Sequence, residues 1–215
     1  MTVSSLTPPR RRGRPPKNPE AVNQDTRQVL IRAGVVLLTE KGYSSVGIDE
    51  ILRVAKVPKG SFYHYFGSKE SFGLALIDAY AAYFAKKLDS SFLDGSMKPL
   101  ERLHHFIESA KEGMRKHEFQ RGCLVGNLGQ EMGTLPESFR VRLREVFRDW
   151  QMRTGACLRQ AQAAGQLASH IDCDVLAEFF WIGWEGAVLR AKLEQTSIAL
   201  EIYAEGYFRL LGSNV

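Results

Sequence analysis

Side chains able to contact nucleic acid are concentrated between positions 59 and 69. They are Lys59, Gly60, Ser61, Tyr63, His64 and Lys69. Their ammonium, hydroxyl and imidazole groups suit phosphate oxygens, and a lysine at the entry of a helix also reaches a guanine edge. The small residues Gly60 and Ser61 let the backbone approach a groove closely. A short helix is predicted to begin at Lys59, and its first residues are the ones that could reach a groove of DNA.

Positive charge is concentrated in the first third of the chain. Residues 1–70 contain 12 Lys and Arg against 6 Asp and Glu, whereas the other residues contain 17 against 18. Because neutralised phosphates release condensed counterions, this asymmetry indicates a polyanion partner, although a solubilising basic tail has the same composition. The run from Arg10 to Lys17 resembles the AT-hook core, in which Arg12 and Arg14 enter a narrow minor groove. Binding by charge alone is the alternative for this arm.

Several protein classes are excluded by what the sequence lacks. No run of about 18 apolar residues predicts a membrane span, and no apolar stretch follows the basic N-terminus as in a secretory signal. The three cysteines, Cys123, Cys157 and Cys173, are too few and too irregularly spaced for a disulfide framework or a zinc module. No Ser-His-Asp arrangement or phosphate loop indicates an enzyme. We therefore expect a cytoplasmic, non-enzymatic protein with reduced thiols and no metal or cofactor.

Apolar residues recur at three- and four-residue spacing, which predicts an all-α fold. Three parts are expected: a disordered basic arm over residues 1–24, a three-helix helix-turn-helix domain over 25–70, and a helical ligand-sensing and dimerisation domain over 71–215. In the second part, helices are predicted from Asp25 to Lys41, over 48–54 and over 59–65, and Ser68 caps a long helix that reaches Leu88. Five more helices are predicted over 100–116, 122–132, 136–166, 174–193 and 197–211.

The helix-turn-helix segment resembles the DNA-binding signature of TetR-family regulators. The resemblance rests on Gly-Tyr-Ser-Ser-Val-Gly-Ile at 42–48 and on Val-Pro-Lys-Gly-Ser-Phe-Tyr-His-Tyr-Phe-Gly-Ser-Lys-Glu at 57–70. Gly47 and Pro58 depart from the usual residues, but both are compatible with a helix start. The resemblance implies a homodimeric repressor of a palindromic operator in double-stranded DNA, with Lys69 as a phosphate anchor. An activator or an architectural DNA-binding protein is the alternative.

A second resemblance concerns the C-terminal part. Gly-Cys-Leu-Val-Gly-Asn-Leu at 122–128, Trp-Glu-Gly at 184–186 and Leu-Arg-Ala-Lys at 189–192 are similar to a TetR subgroup that senses electrophiles, oxidants or small unsaturated carboxylates such as acrylate. This resemblance implies a sensor pocket at Cys123. An anionic effector also needs polar partners in an otherwise apolar pocket. The candidate pocket residues are His117, Asn127, Trp181, Trp184, Glu185, Arg190 and Lys192.

Two roles are open for Cys123. At a helix N-terminus the helix dipole stabilises a thiolate, and Arg121 or Lys192 nearby would lower the thiol pKa further. Oxidation or alkylation of a reactive thiol would then change the local packing. Alternatively, Cys123 is a small buried hydrophobic residue and the effector binds reversibly. Cys157 and Cys173 are expected to be inert.

The last two predicted helices are unusually apolar. The segment from Val175 to Leu189 is apolar on nearly all faces, and residues between Ile198 and Leu211 form a second apolar face. These surfaces predict a four-helix interface between two protomers, whereas an ordinary internal core is the alternative. The sequence therefore predicts a homodimeric repressor that a small-molecule effector releases from its operator, through movement of the long helix that begins near Ser68.

Overall fold

The computed structural model describes residues 19–212, so the predicted arm contacts Arg12 and Arg14 lie outside the described part. Within residues 19–212 every regular element is a helix, which confirms the predicted all-α fold. The helices are α1 (Pro19–Lys41), α2 (Ile48–Ala55), α3 (Lys59–Phe66), α4 (Lys69–Phe92), α5 (Pro99–Arg115), α6 (Leu124–Gln130), α7 (Glu137–Ala163), α8 (Cys173–Glu194) and α9 (Ile198–Leu210).

Helix α1 begins earlier than the sequence pattern predicts. It starts at Pro19 rather than at Asp25, so the predicted boundary of the disordered arm at residue 24 is corrected. Proline suits the first position of a helix, and the Glu and Ala that follow it are good helix formers. The early turns were missed because this segment has too few apolar residues to show a periodic stripe.

Three aromatic rings fix α3 against α4. Phe62 and Phe66 are buried on α3, and their ring centroids lie 5.0 and 4.7 Å from that of Phe72 on α4. Gly34 of α1 lies directly over Phe72 and Leu76, where any larger residue would collide with both side chains. Helices α1, α3 and α4 therefore share one core, which holds the polar face of α3 toward solvent.

Helix α4 belongs to both parts of the fold. Ser68 caps its first turn by accepting a hydrogen bond of 3.0 Å from the Ser71 N–H. Further along, the Phe84 ring packs against Trp150 of α7 with 4.4 Å between ring centroids. The predicted domain boundary between residues 70 and 71 therefore falls inside a continuous helix. Helix α4 thus connects the helix-turn-helix directly to the C-terminal part.

An aromatic cluster between α5, α7 and α8 forms the core of the C-terminal part. Trp150 and Trp181 are almost completely buried, and Trp181 Nε1 donates a hydrogen bond of 3.0 Å to Thr154 Oγ1. The Thr154 hydroxyl in turn donates to the Trp150 carbonyl at 2.9 Å. Truncation of a buried Trp to Ala costs about 3–5 kcal/mol. Trp181, a candidate effector contact, is therefore a core residue instead, because its indole N–H is already satisfied inside the protein.

Apolar side chains remain exposed along one face of α8 and one face of α9. On α8 they recur at intervals of three, four or seven residues, and on α9 at intervals of four and eight residues. They are Val175, Phe179, Ile182, Leu189 and Leu193 on α8, and Ile198, Ile202 and Leu210 on α9. Gly186 and Gly206 lie on the same faces, with open space where a side chain would project. Another helix could therefore approach both faces closely. None of the described helices is long and apolar enough to cross a membrane.

Candidate DNA interface and effector pocket

The recognition helix α3 presents its polar residues to solvent. Lys59, Gly60, Tyr63 and His64 are exposed, and Ser61 is half-buried. Lys59 Nζ lies 3.2 Å from Asp49 Oδ1 on α2, and both side chains are mostly exposed. Because a surface ion pair contributes only about 0–1 kcal/mol, Lys59 can exchange Asp49 for a phosphate or a guanine edge. The fold thus brings the predicted contacts of α3 together on one side of the helix.

Lys69 is turned toward the protein. Its Nζ donates a hydrogen bond of 2.9 Å to the Tyr43 carbonyl and lies 4.3 Å from the centre of the Tyr43 ring. Burial lowers the pKa of Lys69, and the nearby carboxylate of Glu131 opposes that effect. The ammonium group thus fastens the turn between α1 and α2 to the start of α4. Its role as a phosphate anchor stays a prediction.

Glu131 holds the same turn from the C-terminal part. Its Oε1 accepts a hydrogen bond of 2.8 Å from the Tyr43 N–H, and its Oε2 accepts one of 2.7 Å from the Ser44 N–H. Gly42 has a φ of 83°, which favours glycine, and a side chain there would overlap the Glu131 carboxylate. The residue that follows α6 is therefore bonded directly to the segment that leads into the helix-turn-helix.

A cavity of about 240 Å³ lies between α1, α4, α5, α8 and the loop that precedes α6. Its apolar lining includes Val35, Val36, Phe84, Met114, Trp184 and Val188. Its polar lining includes Thr39, Tyr80, Lys87, His117, Arg121, Cys123 and Glu185. Sites for drug-sized ligands measure roughly 300–1,000 Å³, so this cavity suits a smaller molecule. Of the predicted pocket residues, His117, Cys123, Trp184 and Glu185 meet here.

The Cys123 thiol is buried in the cavity wall. Cys123 occupies the N-cap of α6 and is only 8% exposed. Burial raises the pKa of this thiol well above its usual value, and the charge of Glu185 raises it further. Arg121 is paired instead with Glu40, and Lys192 bonds to carbonyls of α1. Of the two roles open for Cys123, the one with a lowered thiol pKa is therefore wrong, because desolvation outweighs the dipole of a short helix and no cation of the described residues lowers the thiol pKa.

Glu185 is the acidic group of the cavity. Its carboxylate and the Tyr80 hydroxyl both lie near the Cys123 thiol and act on its pKa. Burial raises the pKa of Glu185 to about 7, and the interaction with the thiol partly offsets that rise. The carboxylate fits because residue 126 is glycine, since a methyl group there would overlap Glu185 Oε2. Tyr80, Cys123 and Glu185 therefore form one cluster in the cavity wall.

Donors of the C-terminal part converge on the last turn of α1. The Gly122 N–H donates to the Thr39 carbonyl at 3.1 Å, and Asn127 Nδ2 donates to the Leu38 and Thr39 carbonyls at 3.1 and 3.0 Å. Lys192 Nζ donates to the same Thr39 carbonyl at 3.0 Å. Carbonyls at a helix C-terminus lack intrahelical partners and carry partial negative charge, so they attract these donors. Asn127 and Lys192, predicted as effector contacts, bind α1 instead.

Models of two protein families match this chain. The model described as bacterial regulatory proteins, tetR family, matches residues 30–76, and the model described as tetracyclin repressor-like, C-terminal domain, matches residues 99–206. The chain belongs to the TetR family. The predicted family is confirmed, and the protein is a DNA-binding transcriptional repressor of the TetR type rather than an enzyme.

Individual TetR relatives are similar over most of their length. The transcriptional regulator AcuR of Cereibacter sphaeroides is 62% identical over 193 residues, which cover 90% of this chain and 87% of AcuR. The structure of a regulatory protein TetR from Rhodobacter sphaeroides has a TM-score of 0.85 and 60% identity, and the match covers 86% of this chain and 97% of that one. The reduced form of the Escherichia coli repressor NemR has a TM-score of 0.77 and 27% identity, with 86% and 96% covered.

The lining of the cavity beside Cys123 was only partly predictable. Arg190 was predicted to line the cavity, but it lies on the surface and pairs with Glu194 instead. Tyr80 and Lys87 were missed, although they stand seven residues apart on α4 with Phe84 between them. Polar residues on an otherwise apolar helix face are the signal that could have identified them.

Lys87 supplies a positive charge to the cavity. It is half-buried, and its Nζ donates a hydrogen bond of 3.3 Å to the Ser109 carbonyl. Burial lowers the pKa of Lys87, and no carboxylate among the described residues opposes that effect. An anion that enters the cavity therefore meets a cation without a charged partner in the described part of the chain.

Proposed function

We propose that this TetR-family repressor leaves its operator when a small α,β-unsaturated carboxylate, or another small thiol-reactive electrophile, occupies the cavity beside Cys123. The observation that carries this proposal is that one small cavity contains both the Lys87 ammonium group and the Cys123 thiol. The cation is suited to a carboxylate, and the sulfur is suited to an electrophilic carbon. The resemblance of residues 122–128 and 184–192 to electrophile- and acrylate-responsive regulators agrees with this chemistry.

The DNA contacts come from the exposed residues of α3. Lys59, Tyr63 and His64 supply donors to phosphates and base edges, while Gly60 and Ser61 allow close approach of the backbone. Two copies of α3 bind successive major grooves when they lie roughly 34–36 Å apart, which requires a two-fold symmetric dimer and a palindromic operator.

The dimer forms through the exposed apolar faces of α8 and α9. Ile182 is 67% exposed, Leu193 is 74% exposed and Ile202 is 65% exposed in the isolated chain. Leaving such side chains in water is unfavourable by about 25 cal/mol per Å² of apolar surface. Pairing of both faces with a second copy buries them in a four-helix interface, in which Gly186 and Gly206 permit close helix contact.

Release from DNA follows from the position of the cavity. Its walls include α4, which spans both parts of the fold, and Val35, Val36 and Thr39 on the last turns of α1. An effector that binds more tightly to a displaced arrangement of these helices shifts the population away from the DNA-binding spacing. The shift equals the difference in affinity of the effector for the two arrangements.

A gel-shift assay with DNA from upstream of the repressor's own gene tests this proposal. The DNA-bound protein is titrated with acrylate, with propionate as the saturated control of equal charge, and with acrylamide as the uncharged alkene. We expect acrylate to release the wild type at the lowest concentration. Cys123→Ser should resist release, and Lys87→Met should remove the advantage of acrylate over acrylamide. If Cys123→Ser is released as readily as the wild type, the thiol has no part in sensing.

Footprinting separates a repressor from an architectural protein. Protection of one short palindrome is expected for a sequence-specific regulator. Uniform protection along the fragment at the same protein concentration would contradict the proposal, because it indicates binding by phosphate contacts alone.

A further inference from the structure

The cluster of Tyr80, Cys123 and Glu185 in the cavity wall contains an acid and a nucleophile that the fold holds together. Glu185 projects from α8 toward the start of α6, and its carboxylate fills the space beside Gly126 that a side chain would otherwise take. A Cβ atom placed on Gly126 would lie 3.7 Å from Cys123 Cβ. Cys123 and Glu185 both line the cavity, so a bound molecule would meet the sulfur and the carboxylate together.

The buried thiol needs a proton acceptor before it can react. The thiolate is the nucleophilic form of cysteine, and burial keeps Cys123 protonated at neutral pH. Desolvation also raises the pKa of Tyr80 well above its usual value, so the tyrosine hydroxyl is not an acceptor. Two other polar groups of the cavity, Lys87 and Arg121, are cations that have no lone pair to offer, and the Nε2 of a third, His117, lies 3.5 Å from Arg121 Nη1. Glu185 is in contact with the thiol and is ionised in part near neutral pH.

We propose that Glu185 is the proton acceptor for Cys123 when the thiol adds to a small α,β-unsaturated carboxylate or carbonyl compound in the cavity. This inference rests on the proposed function and deepens it, because it assigns the reaction to a pair of residues. Cys123 thus acts as a nucleophile with an adjacent general base, an arrangement that compensates for the raised pKa of a buried thiol.

The addition balances without an oxidant or reductant. The S–H bond of Cys123 breaks and its proton moves to the Glu185 carboxylate, while the sulfur forms a bond to the β-carbon of the alkene. The electron pair of the double bond moves toward the carbonyl carbon and gives an enolate. Glu185 then returns the proton to the α-carbon, which leaves a thioether on Cys123 and restores the carboxylate. The product contains every atom of the effector and of the thiol.

The same step provides a reason for release. A thioether has no S–H, so Cys123 can no longer donate a hydrogen to Glu185 when the adduct forms. A buried carboxylate without a donor is unfavourable, and the new chain also occupies part of a cavity of about 240 Å³. Both effects favour displacement of α8 from α6, and Gly122 next to Cys123 is bonded to the Thr39 carbonyl at the end of α1.

The rate of adduct formation tests the role of Glu185. Full-length wild type, Glu185→Gln, Glu185→Asp, Cys123→Ser and Glu112→Gln are incubated with acrylate and with acrylamide between pH 5.5 and 9, and the added mass is followed by intact-protein mass spectrometry. General base catalysis contributes about 10²–10⁴-fold, so Glu185→Gln should react at least about 10²-fold more slowly than the wild type at pH 7.5. Glu112→Gln, which changes an exposed acid on α5, should react at the wild-type rate.

The pH profile distinguishes a proton acceptor from a packing residue. The wild-type rate should rise with pH through about 7, where Glu185 loses its proton, and level off well below the ionisation of the thiol. Glu185→Gln should lose this step and rise only at higher pH, whereas Glu185→Asp should keep it at a reduced rate. The titratable or charged groups that face Glu185 from the other elements are Tyr80, Lys87, His117, Arg121 and Cys123. Because the His117 imidazole also lines the cavity and has a nitrogen that can accept a proton, His117→Gln is included and should retain the step.

Failure of this inference is distinguishable from failure of the proposed function. If acrylate adds to the wild type and to Glu185→Gln at the same rate and with the same pH profile, Glu185 is not the proton acceptor, although covalent sensing stands. If acrylate releases the wild type from DNA without adding mass, the effector class stands and the covalent step is overturned. If acrylate neither adds mass nor releases DNA, both proposals fail.

Discussion

Replacement of Glu131 by alanine should loosen the turn that joins α1 to the helix-turn-helix. The carboxylate accepts hydrogen bonds from the Tyr43 and Ser44 N–H groups at 2.8 and 2.7 Å. A hydrogen bond to a charged group contributes about 1.5–3 kcal/mol, and the lower end applies to this half-buried side chain, so Glu131→Ala should cost roughly 3 kcal/mol. Glu131→Gln keeps one carbonyl oxygen but places an NH2 group against the other N–H donor. Its loss of stability should therefore be at least half that of Glu131→Ala.

Two measurements report on the hydrogen bonds between Glu131 and the turn. Urea unfolding gives the total loss of stability, with Glu112→Ala as a control because Glu112 pairs only with Arg115 on the surface of α5. That control should change stability by no more than about 1 kcal/mol. Hydrogen exchange at the Tyr43 and Ser44 amides gives the local loss, and roughly 3 kcal/mol corresponds to exchange on the order of 100-fold faster.

Two results together would show that Glu131 does not hold the turn. In that case Glu131→Ala would unfold at the same urea concentration as Glu112→Ala, and the amides of Tyr43 and Ser44 would exchange at the wild-type rate. The position of the turn would then depend on Lys69 and on the packing of Tyr43 alone. We expect instead that the variant also binds its operator more weakly, since the turn leads directly into α2.

Three other substitutions test separate features. The pKa of Glu185 is about 7 when folded against an ordinary 4.5, so the stability that this group contributes is complete below pH 4.5 and is lost as the pH rises through 7, by at most roughly 3 kcal/mol. Glu185→Gln should abolish this fall between pH 5.5 and 8 in urea unfolding, and an unchanged fall would assign it to another group. Lys192→Met removes hydrogen-bond donors to α1 and should lower the free energy of unfolding by about 1–3 kcal/mol. Lys86→Met at an exposed position is the control, and equal urea midpoints for the two variants would contradict the contact. Ile182→Glu should give a monomer in light scattering while Val141→Glu stays dimeric, and a dimer in both would place the interface elsewhere.

Local sequence patterns predicted most of the helices. Helix α3 begins at Lys59 as expected, and Ser68 caps the long helix that follows it. These features depend on apolar spacing and on short-range hydrogen bonds, which a sequence displays directly. The start of α1 was misplaced because polar helix-forming residues show no such spacing.

Contacts between distant segments were not predictable in the same way. Asn127 bonds to a carbonyl 89 residues earlier in the chain, and Lys192 bonds to one 153 residues earlier. A polar side chain does not indicate which backbone group it will meet, so both were expected at the effector. The pKa of Cys123 was mispredicted for a related reason, since the position at a helix start is local whereas the depth of burial depends on α4 and α8.

The Thr39 carbonyl, on which three donors converge, has a consequence for the order of events in a cell. Because the last turn of α1 lines the cavity and also carries the helix-turn-helix, occupancy of the operator and occupancy of the cavity act on the same element. For the proposed effector, thermodynamic reciprocity requires operator DNA to weaken its reversible binding by the factor with which that binding weakens DNA binding. Under the proposed function, repressor molecules away from the operator are loaded first, and a larger repressor pool delays the response of the gene.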